Sequence, residues 1–267
     1  METVDIARAV AACQAITGAD DAVVLSNSNK IVVRLLPGEV LARVAFDGEH
    51  GFAGELELGR RLAALGSPVV APTDLTVHQR DGFAISLWRY YEPQGDVTPA
   101  EFGAALHRLH AGMREVDVPA PHFMERVEEA QAVLADRALS PEVPEADREL
   151  LVATLTERGK AASTSGAREQ LLHGEPHPGN LLSTTDGPLF IDLETMCRGP
   201  VEFDLAHAPE EIAAHYPGID RKLLQDCRIL MLAMVTAWRW DRNDQLPNGR
   251  QRAEEWTAQI RSADSVA

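Results

Sequence analysis

Residues 171–206 decide the fold, and they read LLHGEPHPGNLLSTTDGPLFIDLETMCRGPVEFDLA. The segment places the carboxylate of Glu175, the amide of Asn180 and the carboxylate of Asp192 around two short apolar runs that predict strands. This order fits a phosphoryl-transfer site, which needs one group to orient the attacking hydroxyl and then two oxygen ligands for Mg²⁺ on ATP. The segment therefore indicates the catalytic centre of a kinase, with Asn180 and Asp192 as predicted metal ligands.

The composition narrows the class of protein. The chain has 267 residues, of which 45% are hydrophobic and 25% charged, as in an ordinary globular enzyme of one or two domains. With 41 acidic and 25 basic residues the net charge is -16, which disfavours nucleic acid and membrane surfaces as partners and would attract a cationic substrate. The 3 cysteines have no paired or metal-type spacing, and residues 1–17 lack a signal-peptide pattern. We therefore expect a cytoplasmic protein without disulfides.

The two halves of the chain have different patterns. In the first half, runs rich in Val, Leu and Ile between turn residues predict strands over residues 21–27, 30–36, 39–46, 73–78 and 83–88, around one helix over 51–65. Beyond a connector at 89–99 helices dominate, and Thr98 is the predicted N-cap of the first. Further helices are predicted over 122–135, 144–162, 220–240 and 250–262. This predicts an α+β bilobal architecture with a small antiparallel-sheet N-lobe at 1–92, which binds nucleotide, and a larger, mainly helical C-lobe at 93–267, which holds the catalytic loop and acceptor site.

Three blocks of the opening segment carry a further signal, namely HGEPHPGN at 173–180, IDLE at 191–194, and GP at 199–200 followed by DLA at 204–206. Together they resemble the aminoglycoside phosphotransferase-like kinases, a family that also includes choline, homoserine and macrolide kinases. The resemblance extends over nearly the whole chain and implies a protein-kinase-like fold. It also implies a Mg²⁺-dependent transfer of the γ-phosphate of ATP or GTP to a hydroxyl group of a small molecule.

The catalytic loop departs from the family pattern at one position, because the family usually has Asp where this chain has Glu175. The extra methylene moves the carboxylate on the order of 1 Å, and a displacement of that size can cost about a hundredfold in rate. Either the loop compensates, since Pro176 and Pro178 fix its path, or the enzyme is slow or the site degenerate. We hypothesise that Glu175 still orients the hydroxyl. The alternative is a nucleotide-binding pseudokinase or regulatory protein.

Two histidines suggest a more distant alternative, a metal hydrolase. His173 and His177 flank Glu175 at a spacing that would share one face of a helix, as in zinc hydrolases. The glycines and prolines of the same loop forbid a helix. We therefore expect His173 to brace the catalytic loop, and Asp204 to bond backbone near that loop rather than substrate.

The resemblance also assigns the nucleotide-binding residues. Arg43 stands in the place of the third-strand lysine, and Glu55 best matches the helix acid that pairs with this cation, with Glu57 as the second choice. The substitution is chemically reasonable, because arginine stays charged and can hold phosphate oxygens with two donors. The glycine-free turn before the second strand is predicted to contact the phosphates through Ser28 and Asn29, with a plain surface hairpin turn as the alternative. The connector after the fifth strand is predicted to contact the nucleobase through Trp88 and Tyr90, with a core position as the alternative for Trp88. The choice between ATP and GTP stays open.

The acceptor is expected against the helical half. The candidate lining residues are mostly acidic and comprise Glu194, His207, Glu210, Glu211 and Asp241. For Glu194 the alternative is a role in supporting the metal site. Trp238 and Trp240 are either walls of the acceptor site or core aromatics. Their acidity fits a cationic antibiotic such as an aminoglycoside, and equally an amino alcohol or a cationic peptide antibiotic. A neutral macrolide or sugar stays open as well.

Overall fold

A computed structural model gives the structure of the chain and describes residues 3–28, 30–48 and 51–264. The described residues form two compact units. We call Met1–Val118 with Gly179–Thr195 the sheet unit, and Pro119–Pro178 with Met196–Ala267 the helical unit. The predicted boundary after residue 92 does not coincide with this division, because residues 93–118 and 179–195 also pack into the sheet unit. The assignment of the nucleotide site to 1–92 and of the acceptor site to 93–267 stays a prediction.

The sheet unit is built on a five-stranded antiparallel sheet with the order β1-β2-β3-β5-β4. Its strands are β1 (Asp21–Asn27), β2 (Ile31–Leu36), β3 (Val40–Phe46), β4 (His78–Arg80) and β5 (Phe83–Arg89), and its helices are α1 (Thr3–Thr17), α2 (Phe52–Ala64) and α3 (Pro99–Met113). Burial alternates along β2, where Ile31, Val33 and Leu35 enter a core shared with α1. As predicted, Thr98 caps α3, since its Oγ1 accepts the N–H of Glu101 at 3.3 Å.

A short hairpin from later in the chain completes this unit. It consists of β7 (Leu181–Thr184) and β8 (Gly187–Phe190), followed by a 3-10 turn at Leu193–Thr195. The N–H of Phe190 donates to the carbonyl of Pro68 (2.8 Å), and the N–H of Val70 donates to the carbonyl of Phe190 (3.0 Å). The rings of Phe190 and Phe102 on α3 meet edge to face, with centroids 5.8 Å apart. These contacts explain why α3 and the hairpin belong to the sheet unit.

The structure departs from the prediction for the sheet unit in two places. The strand predicted over 73–78 is confined to His78–Arg80, because Asp74 Oδ1 accepts the N–H of Thr76 (2.9 Å) and turns the chain. Helix α1 was not predicted, because the residues it buries are the small Ala9, Ala12 and Cys13, which give only a weak apolar stripe. The other predicted strands and the helix α2 are confirmed with small shifts at their ends.

The helical unit packs its helices around one apolar core. Its elements are α4 (Phe123–Ala135), α5 (Glu145–Ser163), β6 (Glu169–Leu172), β9 (Cys197–Pro200), α6 (Val201–His207), a 3-10 turn at Glu210–His215, α7 (Arg221–Arg239) and α8 (Gly249–Asp264). Strands β6 and β9 pair antiparallel. Trp240 is 2% exposed and lies in the core, which is the second of the two alternatives that the sequence left open for it. The four long helices were predicted, whereas the short α6 was not.

No helix among the residues that the structure describes combines the length and apolarity needed to cross a bilayer.

Candidate active site

The loop that carries Glu175 follows β6 and is fixed by α6. Asp204 accepts the backbone N–H groups of His173 and Gly174, each at 2.8 Å. Gly174 has a φ of 94°, a conformation that glycine adopts without a steric penalty. The ring of His173 is fully buried, and its Nδ1 accepts the N–H of Glu175 at 3.3 Å. The predicted roles of Asp204 as an acceptor for backbone and of His173 as a brace of the loop are confirmed.

The carboxylate of Glu175 forms an ion pair with Arg126 of α4. Arg126 also donates to the carbonyl of Gly174 (3.3 Å), and its guanidinium lies 5.2 Å from the ring centroid of Trp238. Burial alone would raise the pKa of Glu175, but the charge and hydrogen bond of Arg126 outweigh it, and the pKa lies below its ordinary value. Glu175 is therefore a charged hydrogen-bond acceptor at neutral pH. Sequence reasoning missed Arg126, since nothing in the local pattern of α4 distinguishes it from its charged neighbours.

His207 lies close enough to Glu175 for the two side chains to interact electrostatically. Burial lowers the pKa of His207 to about 4, despite the attraction of the Glu175 carboxylate. Its Nε2 is buried and has no hydrogen-bond partner among the described residues. The ring packs edge-on against Phe203, with centroids 5.4 Å apart. His207 is thus a neutral neighbour of the loop carboxylate at pH 7.

The remaining residues of the helical unit that were predicted to bind the acceptor are Glu210, Glu211 and Asp241. The side chain of Glu210 is 88% exposed and lies 3.7 Å from Arg228, and Glu211 is also exposed. Asp241 follows α7, and its Oδ1 accepts the N–H of Asn243 at 2.8 Å. A role for these three acids in binding the acceptor stays a prediction.

The sheet unit contains a pocket of about 680 Å³, a volume typical of sites for small ligands and cofactors. Its walls come from β1, β2, β3, β5, the connector and the β7–β8 hairpin. They include most of the residues predicted to bind nucleotide or metal, namely Ser28, Arg43, Trp88, Tyr90, Asn180 and Asp192, and also Glu194. Glu194 therefore lies in this pocket rather than in the helical unit. Asn29 lies outside the described residues.

Arg43 of β3 is at the centre of a buried charge network in this unit. Its guanidinium donates to Glu55 of α2 and to Asp192 Oδ1 (2.5 Å), and the N–H of Leu193 donates to Glu55 Oε1 (3.0 Å). Burial would lower the pKa of Arg43, but the charges of Glu55 and Asp192 outweigh it and raise the pKa. Burial also raises the pKa of Glu55, in spite of the attraction of Arg43. The predicted pairing of Arg43 with Glu55 is present, and its role in binding nucleotide stays a prediction.

Asn180 and Asp192 are held close together at one end of the β7–β8 hairpin. The N–H of Ile191 donates to the backbone carbonyl of Asn180 at 3.0 Å. Asp192 has a φ of 64°, a left-handed conformation that aspartate tolerates better than most residues. Burial would raise the pKa of Asp192, but the charges of Arg43 and Lys30 outweigh it, and the pKa lies below its ordinary value. The carboxylate is therefore ionised at neutral pH.

Lys30 completes the network, and sequence reasoning missed it. Its Nζ forms an ion pair with Glu194 and lies 3.5 Å from Asp192 Oδ1, and its side chain is only 7% exposed. A signal was present in the alternation of β2, because Ile31 and every second residue after it are buried against α1. Lys30 and Val32 therefore share the opposite face, which lines the pocket.

Oxygen atoms suited to a metal ion meet in the same region. Within residues 3–28, 30–48 and 51–264, the group of three His, Cys, Asp or Glu that could hold a metal comprises Glu55, Asp192 and Glu194, with ligand atoms within 4.8 Å of one another. An all-oxygen set suits a hard cation such as Mg²⁺ or Ca²⁺ rather than zinc. His173 and His177 belong to no such group within the described residues, so the metal-hydrolase alternative has no support there.

The connector is already partly occupied by hydrogen bonds within the protein. The N–H of Arg89 donates to the carbonyl of Ala71 (3.0 Å), and the N–H of Tyr90 donates to that of Glu39 (2.9 Å). These two backbone N–H groups therefore already have acceptors within the protein, and the predicted contact of the connector with a nucleobase stays a prediction. Trp88 is 5% exposed and belongs to an apolar cluster with Leu56, and it also lines the pocket.

The sequence of residues 22–226 matches the Phosphotransferase enzyme family, and the chain belongs to this family. The predicted family and the predicted enzyme class, a small-molecule phosphotransferase, are confirmed by this membership. A comparison with curated protein sequences gives no match.

Solved structures share the fold of the chain. A choline/ethanolamine kinase family protein from Mesorhizobium loti is 19% identical with a TM-score of 0.72, over 98% of this chain and 94% of that one. The amicoumacin kinase hAmiN, in complex with AMP-PNP, Ca²⁺ and amicoumacin, is 12% identical with a TM-score of 0.71, over 98% and 96% of the chains. A spectinomycin phosphotransferase in complex with ADP and spectinomycin is 16% identical with a TM-score of 0.62, over 91% and 90%. The predicted α+β, protein-kinase-like fold class is confirmed.

Proposed function

We propose that this protein is a kinase that transfers the γ-phosphate of ATP to a hydroxyl group of a small molecule in a Mg²⁺-dependent reaction. The observation that carries the proposal is the buried network of Arg43, Glu55 and Asp192 at a pocket of nucleotide size. Support comes from two similar structures, one of which holds AMP-PNP with Ca²⁺ and the other ADP. GTP is the alternative donor.

In this proposal the sheet unit binds the nucleotide. Glu55 holds Arg43 in place, so that the guanidinium is preorganised to bind phosphate oxygens. The carboxylate of Asp192 and the amide oxygen of Asn180 would hold Mg²⁺, with Glu194 as a further oxygen at the pocket. When bound, Mg²⁺ supplies positive charge to the β- and γ-phosphates.

Glu175 is the group that we propose to act on the acceptor. The hydroxyl oxygen attacks the γ-phosphorus, the bond from phosphorus to the β–γ bridging oxygen breaks, and the nucleoside diphosphate leaves. The lowered pKa keeps Glu175 ionised, so the carboxylate can orient the hydroxyl by accepting its hydrogen bond. Because a carboxylate of low pKa is a weak base, it takes the proton late, once the new bond to phosphorus has made the hydroxyl more acidic. Arg126 of α4 holds the side chain of this glutamate, which is one methylene longer than that of aspartate, through the ion pair.

For the acceptor we propose an amine-bearing alcohol, with aminoglycosides among the compounds to be tested first. The net charge of -16 supports a cationic substrate. Similar structures are named for choline/ethanolamine, amicoumacin and spectinomycin as substrates. On this proposal the reaction takes place in the cytoplasm, and resistance to an antibiotic would be its biological role if an aminoglycoside proves to be the acceptor.

The experiment is an acceptor screen with MgATP and MgGTP over aminoglycosides, other basic antibiotics, macrolides and small amino alcohols. Formation of the nucleoside diphosphate is measured and the phosphorylated product is confirmed by ³¹P NMR. We expect Glu175→Gln to lower kcat by about 10²–10⁴-fold while nucleotide affinity is kept. Glu169→Gln is the matched control, because Glu169 is an exposed glutamate of β6 that pairs with His122.

A second result would favour the alternative. If the protein binds nucleotide but shows neither transfer nor Mg²⁺-dependent hydrolysis above the rate of Glu175→Gln, it is a pseudokinase or a regulatory protein. A protein that binds neither ATP nor GTP contradicts both functions.

A further inference from the structure

Lys30 lies among the proposed metal ligands. Its ammonium pairs with Glu194, lies 3.5 Å from Asp192 Oδ1, and stands 5.7 Å from the ring centroid of Phe52. The side chain is only 7% exposed, so its charge is compensated by these carboxylates rather than by water. Lys30 is therefore a buried residue of the pocket lining and not a solvent-exposed surface lysine.

Asp192 Oδ1 is shared by two cations. The guanidinium of Arg43 approaches it to 2.5 Å and the ammonium of Lys30 to 3.5 Å. A divalent cation on the oxygens of Asp192 and Glu194 would therefore meet Lys30 at close range. Like charges repel strongly in a partly buried site, so metal binding and the present position of Lys30 oppose each other.

Phosphate oxygens offer Lys30 another partner in the same pocket. Lys30 lines it together with Ser28 and Arg43. The ammonium has three donors and a flexible four-carbon stem, so it can exchange its hydrogen bond to Glu194 for a hydrogen bond to a phosphate oxygen. Because the adjoining turn has no glycine, a side-chain cation is a chemically suitable source of phosphate contacts at this edge.

We propose that Lys30 is a phosphate-binding residue that occupies the carboxylates of Asp192 and Glu194 when the pocket holds no nucleotide, and that transfers to the phosphates when nucleotide binds. The inference rests on the proposed kinase function. Bound nucleotide then draws the ammonium of Lys30 away from the carboxylates, which favours metal binding. Bound metal in turn displaces the ammonium from the carboxylates, which leaves it available to the phosphates. The two ligands bind cooperatively through Lys30, and the coupling is equal in both directions.

Two titrations of the full chain test this inference, and neither needs an acceptor. The first measures Mn²⁺ affinity by electron paramagnetic resonance without nucleotide, and the second measures AMP-PNP affinity by calorimetry in EDTA. We expect Lys30→Met to tighten Mn²⁺ binding by about 5-fold or more, within the usual range of coupling between sites, and to weaken metal-free binding of AMP-PNP. Lys30→Arg should keep both affinities near their original values, because the charge is kept.

Two further variants sharpen the result. Glu194→Gln should tighten AMP-PNP binding in EDTA, because Lys30 then keeps only the carboxylate of Asp192 as a charged partner and exchanges it more readily for phosphate. Arg60→Met removes the same charge from an exposed position, where Arg60 pairs with Glu57 on α2, and should change neither affinity. Thermal unfolding of each variant verifies that the protein is folded at the temperature of the titrations.

The outcomes are distinct. If the Mn²⁺ affinity of Lys30→Met equals that of Arg60→Met, or if metal-free binding of AMP-PNP is unchanged in Lys30→Met, the inference about Lys30 is overturned while the kinase proposal stands. If the unaltered protein binds no AMP-PNP either in EDTA or with Mn²⁺, the proposed function itself is contradicted.

Discussion

Replacing Arg43 by methionine would leave the carboxylate of Glu55 buried without its cation. The side chain of Glu55 has no exposed surface, and that of Arg43 is 11% exposed. Removing one partner of a buried ion pair costs about 3–5 kcal/mol, because the remaining charge is uncompensated. Glu55 keeps the N–H of Leu193 at 3.0 Å, so we expect the lower end, about 3 kcal/mol. At about 2–4 °C per kcal/mol for a chain of this size, the melting temperature falls by about 6–12 °C.

The cost of Arg43→Met should depend on pH. Burial already raises the pKa of Glu55, and loss of Arg43 raises it further. In the interval between the pKa of the unfolded chain and this raised value, the folded state holds a proton that the unfolded state releases. The stability of the variant therefore falls as pH rises through that interval. The melting temperature of Arg43→Met relative to the unaltered protein should drop more at pH 8 than at pH 5, as measured by calorimetry.

The double variant Arg43→Met/Glu55→Gln is the control, because it removes the uncompensated charge together with the cation. We expect it to recover at least half of the lost melting temperature at pH 8. Equal losses at pH 5 and pH 8, or a double variant no more stable than the single one, would refute the buried ion pair as the cause.

Three further outcomes are expected. Arg126→Met should raise the pKa of Glu175, so that the acid limb of kcat/KM against pH moves to higher pH, and a limb that stays in place would contradict the ion pair as its cause. Asp204→Asn removes a charged acceptor of two backbone N–H groups and should lower the free energy of unfolding in urea by about 1–3 kcal/mol, whereas no loss would show that the loop is held otherwise. Gly59→Ala places a Cβ 3.0 Å from Trp88 Cζ3 and should raise the nucleotide KM by displacing this wall of the pocket, which an unchanged KM would exclude.

The sequence is most informative where a local pattern decides the structure. Strand β2 follows the alternation of its apolar residues, and Thr98 begins α3 as its side chain predicts. Helix α1 was not predicted from the sequence, because the alanine and cysteine residues that it buries contribute little apolar surface. The strand predicted over 73–78 was shortened by one side chain, since Asp74 turns the backbone before the sheet begins.

Residues of the candidate site were predictable from the sequence when they belong to a recognisable motif. They were not predictable when only a tertiary contact brings them to the site. Asn180 and Asp192 stand in a recognisable order along the chain, and Arg43 stands in a strand of known position. Arg126 meets Glu175 across 49 residues, and no local spacing encodes that contact. Lys30 is intermediate, because the alternation of β2 gives its face but not its carboxylate partners, which lie more than 160 residues away.

The path of the chain between the two units has a consequence for dissecting the protein. The chain passes from the helical unit into the sheet unit at residue 179 and returns after residue 195. Within this segment the backbone of Phe190 forms hydrogen bonds with the backbone of Pro68 and Val70. A polypeptide that stops at Val118 would lack Asn180 and Asp192. It would also expose the apolar cluster of Leu56, Val70 and Trp88, against which the hairpin packs. Separate expression of the two halves should therefore give two incomplete fragments, and rescue would require a hairpin peptide supplied in trans.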